Sequence, residues 1–174
     1  RFCVSRNSGL AKVGLGRLVG SFREWRPNRS RPLRDRFEQE RLALVGKEEA
    51  KEHGDYIGNK IGKVDNVVNL IGFTNTVYEL VHVIHSGDVF LTCDSGPAHF
   101  AALTDTPTIV LFGPETPKMY SSLSNKGASL YSNYFCSPCL TARNHRNSPC
   151  LDNQCLQAIT PEQVLLEIEK WINL

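Results

Sequence analysis

From residue 42 onward, short apolar runs alternate with helix-forming segments, and no other feature of the chain constrains its fold as tightly. Leu42–Gly46, Val67–Gly72, Val89–Cys93 and Thr108–Phe112 are runs of five or six residues, close to continuous in apolar character. Runs of that kind suit strands buried on both faces. The intervening segments read as helices. Lys47–Ile61 is charged and helix-forming, although Gly54 and Gly58 weaken it. Thr76 opens a second helix as part of a capping box, because Glu79 lies three residues on, and Val77, Leu80, Val81 and Ile84 trace one helical face. A short helix follows Asp94 and runs to about Leu103, and Thr116-Pro117 opens another. After a strand at Ala128–Tyr131, Thr160-Pro161-Glu162-Gln163 caps a last helix whose stripe is Val164, Leu165, Ile168, Trp171 and Ile172. This order predicts an α/β fold around a parallel sheet with crossover helices. Sheets of that kind bind ligands outside the carboxyl ends of their strands, which here means just after Gly46, Cys93 and Phe112.

The first 41 residues are different. They hold ten of the twelve arginines plus Lys12, against Glu24, Asp35, Glu38 and Glu40, so this arm carries +7 and the remaining 133 residues −5. Arginines interrupt every apolar run, and Pro27 and Pro32 break the stretch where a helix would otherwise form. A helix through Leu33–Leu44 is one option. The expectation for 1–41 is a poorly patterned segment, solvated, disordered or non-native, ahead of one domain at 42–174. A basic arm can also address nucleic acid or an anionic membrane surface. No run approaches the length of a membrane span and no signal-peptide pattern opens the chain, so a cytoplasmic setting is expected and the six cysteines read first as thiols or metal ligands.

The most informative stretch is Asp94-Ser95-Gly96-Pro97-Ala98-His99, which joins a buried strand to a helix. Pro97 suits the first helical position, Gly96 admits a ligand close to the backbone, and Ser95 offers a hydroxyl. The N–H groups of the first turn face outward at a partial positive charge, an arrangement that fits a nucleotide diphosphate. His99 falls in the same turn, where its ring can donate to a phosphate oxygen and, when protonated, offset charge on a leaving diphosphate. The competing reading is that Asp94 and Ser95 only cap the helix and His99 lies on the surface. A second Gly-Pro turn, Gly113-Pro114, follows the neighbouring strand on the same edge.

Asp-Ser-Gly-Pro-Ala-His-Phe-Ala-Ala, then Pro107-Thr108-Ile109-Val110, then Leu-Phe-Gly-Pro-Glu-Thr-Pro resembles the signature of the lipopolysaccharide heptosyltransferases, glycosyltransferase family 9. The resemblance runs from about Leu42 to Leu174 and takes in the Gly72-x-Thr74 turn, the Cys-Ser-Pro-Cys loop and Ile159-Thr160-Pro161-Glu162. It implies the Rossmann-like, donor-binding C-terminal lobe of a GT-B enzyme. It further implies inverting, metal-independent transfer of heptose or a related sugar from an ADP-sugar onto a lipid A–core acceptor. Carried over residue by residue, Asp94, Ser95, Gly96, Pro97 and His99 form the diphosphate site, Gly113 and Pro114 shape its wall, and Glu48 or Glu49 meets the ribose hydroxyls. The competing role for those glutamates is a solvated helix face. The family's N-terminal lobe, with acceptor site and catalytic base, has no counterpart here, and Glu24-Trp25-Arg26-Pro27 only faintly echoes the Lys-x-Trp-Pro segment that opens the donor lobe. The chain is therefore expected to be inactive alone. Its parent is expected to act in the cytoplasm, with peripheral contact at the inner-membrane surface.

Cys136-Ser137-Pro138-Cys139, then Cys150 and Cys155, gives two cysteine pairs separated by ten residues within a loop spanning 136–155. The first spacing suits tetrahedral thiolate zinc, the second is looser, and His145 is an alternative ligand. A structural zinc and a set of reduced, half-buried thiols are both open. Two other functions compete with the transferase: a non-enzymatic zinc and nucleic-acid module, and a nucleotide-sugar epimerase of the same architecture. Against the first, residues 42–174 are acidic and carry no basic stripe, so no nucleic-acid partner is expected.

Overall fold

The computed structural model describes residues 2–5, 12–13, 41–61, 67–121, 123–144, 147–148 and 150–172. Seven strands are described: β1 (Phe2–Ser5), β2 (Lys12–Val13), β3 (Arg41–Gly46), β4 (Val67–Ile71), β5 (Val89–Cys93), β6 (Thr108–Phe112) and β7 (Gly127–Tyr131). The described helices are α1 (Lys51–Ile61), α2 (Val77–His85), α3 (Gly96–Phe100), α4 (Pro117–Tyr120), α5 (Gln154–Gln157) and α6 (Pro161–Ile172), with 3-10 turns at Glu48–Ala50, Ala101–Leu103 and Ala142–Asn144.

The strands form one sheet in the order β4-β3-β2-β1-β5-β6-β7. β2, β3 and β4 run parallel, as do β5, β6 and β7, and β1 alone runs antiparallel, joining the two blocks. One row of paired residues crosses the sheet: Asn69, Leu44, Val13, Phe2, Leu91, Ile109 and Ala128. The α/β architecture expected from the alternation is present, with every strand from β3 to β7 within a residue of its expected span. The Arg-rich arm adds what its sequence did not announce, two short strands at the centre of the sheet. The helix considered for Leu33–Leu44 is excluded at its C-terminal end, where Arg41–Gly46 is strand; the rest of that stretch lies outside the described residues.

Strands β5 and β6 are buried along almost their whole length, as their unbroken apolar character requires. Alternate residues feed opposite faces. Leu44, Ile71, Leu91, Ile109 and Leu111 pack with Ile57 of α1 and with Val164, Ile168, Trp171 and Ile172 of α6. On the other face Phe90 meets Leu80 and Ile84 of α2, while Val110 and Phe112 meet Ala98 of α3 and Tyr120 of α4. Each large side chain buried this way stabilises the fold by about 1.5–3 kcal/mol. Both capping boxes form. Thr76 accepts from the Glu79 amide at 3.2 Å while Glu79 accepts from the Thr76 amide at 3.0 Å, and Thr160 and Gln163 exchange the same pair of bonds at 3.3 and 2.9 Å. The expected stripe of α2 is narrower than its sequence suggests, because Val77 is half exposed at the first turn. No helix among the described residues is long and apolar enough to cross a membrane.

Candidate functional site

Because β2 to β7 share one direction, the carboxyl ends of β3, β4, β5 and β6 open onto a single edge. The chain order reverses there: β3 leads outward to β4, and the next crossover passes back over β1 to β5. Crevices at such reversals are where open α/β sheets bind ligands. Three inter-strand steps separate β3 from β5 in the row Leu44–Val13–Phe2–Leu91, roughly 14 Å at normal strand spacing.

On the β3–β4 side lies an open cavity of about 260 Å³ lined by Glu48, Lys51, Asn69, Ile71, Gly72 and Phe73. The 3-10 turn that follows β3 carries Glu48 over the end of β4, where its carboxylate pairs with Lys51 at 3.2 Å. Of the two glutamates singled out from the sequence, Glu48 lines this cavity and Glu49 does not. Gly72 turns the chain away from β4 with φ +82°, and its amide donates to Gly46 O at 2.9 Å. Asn69 holds the floor: its Oδ1 accepts from the Ile71 amide at 3.0 Å and its Nδ2 donates to Asp55 at 3.3 Å. Lys51, Asn69 and Phe73 were not among the residues picked from the sequence. Asn69 carried a signal, being the one polar side chain in the run Val67–Ile71.

On the β5 side, Asp94 extends the pairing with β6 by donating its amide to Leu111 O at 3.1 Å. Ser95 occupies the N-cap position in extended backbone, but its side chain makes no cap hydrogen bond. Its hydroxyl turns back and donates to Cys93 O at 3.0 Å, beside the Thr92 hydroxyl at 3.4 Å. The view of Ser95 as a simple helix cap therefore does not hold. Pro97 and Ala98 are buried under the sheet edge and Ala98 closes a turn onto Ser95 O, whereas Gly96 and His99 face outward. Among the described residues, a methyl at Gly96 would meet only the edge of Phe100, at 3.9 Å.

The second Gly-Pro turn has a different neighbourhood. A methyl at Gly113 would lie 2.5 Å from Leu156 Cγ, because Leu156 of α5 sits directly on that glycine. Pro114 O accepts from the amides of Cys139 and Leu140 at 2.9 and 3.0 Å, and Gly113 O accepts from the Ser137 hydroxyl. The Cys-rich loop thus folds back over the Gly113-Pro114 turn and braces it. Within the loop Cys139 and Cys155 are half-buried and buried, while Cys136 and Cys150 are exposed. The Ser148 hydroxyl links two of them, donating to Cys139 Sγ at 3.4 Å and accepting from the Cys150 amide at 3.2 Å. Burial pushes the Cys155 thiol up, and the neighbouring thiols of Cys139, Cys136 and Cys150 add to the shift. All carry free thiols, and among the described residues no group of three or more His, Cys, Asp or Glu is arranged to hold a metal ion. His145 lies outside the described residues.

The sequence model of Glycosyltransferase family 9 (heptosyltransferase) matches residues 17–148. The chain is 31% identical over 109 residues to lipooligosaccharide heptosyltransferase 2 of Campylobacter jejuni serotype O:6, a match spanning 62% of the chain and 32% of that protein. It is 31% identical over 104 residues to the same enzyme of serotype O:2, a match spanning 59% of the chain and 30% of that protein. The solved structure of E. coli ADP-heptose LPS heptosyltransferase II superposes with a TM-score of 0.68 at 24% identity, covering 96% of this chain and 48% of that one. A family 9 glycosyltransferase from Veillonella parvula superposes at 0.67 with 18% identity, covering 95% of this chain and again 48% of the other. The chain therefore spans about a third of the curated relatives it matches and about half of these solved structures.

Proposed function

The chain belongs to glycosyltransferase family 9, the heptosyltransferases, and from that premise we propose that it binds the nucleotide-sugar donor of such an enzyme. The observation that carries the reading is the cavity beside Glu48 on the same sheet edge as the Asp94–His99 loop, at the reversal of chain order. A nucleoside in the cavity would set its ribose hydroxyls against the Glu48 carboxylate. Its diphosphate would then run along the edge in the direction of Gly96 and His99. An ADP-heptose type of donor is the best fit, given the likeness to the E. coli ADP-heptose LPS heptosyltransferase II.

Transfer with inversion needs a base to take the proton from an acceptor hydroxyl as its oxygen attacks the anomeric carbon and the nucleoside diphosphate departs. The exposed His99 is suited to meet that departing charge, and Gly96 leaves room for a phosphate oxygen near the backbone. The base and the acceptor site, for a lipid-linked or lipopolysaccharide-core acceptor, would come from a partner lobe, so this polypeptide alone would bind donor without turning it over. No metal is needed for that chemistry, and a zinc in the Cys-rich loop would serve structure only.

Calorimetric titration with ADP and an ADP-sugar tests the reading. Saturable binding is expected, weakened roughly tenfold or more by His99→Ala, the worth of a hydrogen bond to a charged group. A folded chain that binds neither ligand sinks the donor-site reading. Multiple turnover by the purified chain would overturn the expectation of inactivity.

A further inference from the structure

Gly72 sits where its missing side chain matters to Glu48. A Cβ built on it would fall 1.9 Å from Glu48 Oε2 and 3.1 Å from the carboxyl carbon. The carboxylate therefore lies against the bare face of the Gly72 turn, with its other oxygen 3.2 Å from Lys51 Nζ. Both side chains remain largely exposed at the cavity mouth, so the carboxylate is steered by its surroundings without being sealed off. The φ of +82° further restricts what residue the turn accepts.

We propose that Gly72 is a positioning residue that seats the Glu48 carboxylate for two hydrogen bonds to a vicinal diol, and thereby selects a ribonucleoside diphosphate over its 2′-deoxy counterpart. The inference rests on the donor-binding reading above. It adds the selecting element and the reason for the glycine. A carboxylate offers two acceptor oxygens in one plane, and a cis-diol offers two donors at matching separation. Lys51 pairs with one oxygen from the side and the Gly72 backbone limits the other, which biases the orientation of the carboxylate. Any Cβ at residue 72 must push the carboxylate off that position. The displaced group is the end of a flexible side chain, so the change spares the core and costs selectivity first.

The test is titration of the full chain and its variants with ADP and with 2′-deoxy-ADP. The wild-type chain is expected to prefer ADP by about tenfold, the worth of one hydrogen bond to a charged group. Glu48→Gln and Gly72→Ala should both bring that preference close to one, while Glu49→Gln should leave it intact. Gly72→Asn separates the two effects of the glycine, because asparagine tolerates positive φ yet still brings a Cβ. It should fold as the parent does and lose selectivity like Gly72→Ala. Folded Gly72 variants that keep the tenfold preference overturn the assignment, as does a wild-type chain that binds both ligands equally while the donor-binding reading survives. A folded wild-type chain that binds no ADP overturns the donor reading and this assignment together.

Discussion

Gly113→Ala separates a wall of the ligand site from a seat for the Cys-rich loop. The introduced methyl would stand 2.5 Å from Leu156 Cγ and 3.0 and 3.1 Å from its two methyl carbons. Leu156 has little freedom to retreat. Its amide is tied to Asn153 O at 2.9 Å, and the carbonyl of the preceding Cys155 accepts from Ser132 Oγ at 2.7 Å. Forcing a methyl into such a contact costs roughly 1–3 kcal/mol. For 174 residues each kcal/mol moves the melting temperature by about 2–4 °C, so a loss of about 2 kcal/mol should lower Tm by roughly 4–8 °C. Leu156→Ala alone removes a half-buried side chain and should cost about 1–2 kcal/mol, toward the lower end for core truncations. In the double variant the methyl introduced by Gly113→Ala occupies space that Leu156 vacated, so the combined loss should fall short of the sum by about 1 kcal/mol. Chemical denaturation of the four proteins measures all three quantities. Strictly additive costs would refute the argument, since the methyl and Leu156 would then not be meeting. A Gly113→Ala chain of unchanged stability with weakened ADP binding would refute it from the other side and favour a diphosphate-wall role for this glycine.

Other predictions follow from single contacts. Thr76→Ala removes the N-cap of α2 and should cost about 1 kcal/mol in denaturant unfolding. Its capping partner Glu79 accepts from the amides of Asn75 and Thr76, bonds that hold its carboxyl below the usual carboxylate range. With the folded value depressed, the unfolded chain binds the extra proton. This contribution is fully present above the ordinary value of 4.5 and fades as pH falls through the lowered folded value. Glu79→Gln should therefore flatten the acid limb of a stability–pH profile, and an unaltered limb would count against the capping box. Alkylation followed by mass spectrometry should label the exposed Cys136 and Cys150 first and the buried Cys155 last, in keeping with its raised thiol. If Cys136, Cys139, Cys150 and Cys155 close on a structural zinc, about one equivalent should survive purification under reducing conditions, by the four-thiolate stoichiometry of such sites. Less than trace zinc would end that proposal.

The strands and helices from residue 42 onward were legible because each depends on a local signal that the tertiary structure reinforces. Val89–Cys93 and Thr108–Phe112 are apolar on both faces because helices cover both faces. Thr76 and Thr160 announce helices through bonds that span only three residues. The centre of the sheet was not legible. β1 pairs with β5 over a long stretch of sequence, Cys3 against Phe90, and Arg6 and Lys12 beside its short runs mask any strand pattern. Long-range pairing of that kind leaves no periodicity to detect. The match of the family to residues 17–148 also begins inside the Arg-rich arm, well before the point at which the sequence pattern becomes regular.

The candidate site shows a sharper limit, because one residue type stands there in three different surroundings. Gly96, Gly113 and Gly72 each stand in a turn after a parallel strand or at its edge, and a sequence reading groups the first two as ligand-facing glycines. Geometry separates them by what an added carbon would strike. At Gly96, among the described residues, it comes only within 3.9 Å of the Phe100 ring, which leaves the backbone open on that side. At Gly113 it strikes the branched end of Leu156, a demand made by packing. At Gly72 it strikes the Glu48 carboxylate, a demand made by a polar side chain at the cavity mouth. At Gly72 and Gly113 the neighbour that the bare backbone accommodates is supplied by a residue tens of positions away. It follows that motif spacing alone can point to a candidate edge, while assigning a glycine a role there requires knowing which atoms its missing side chain leaves room for.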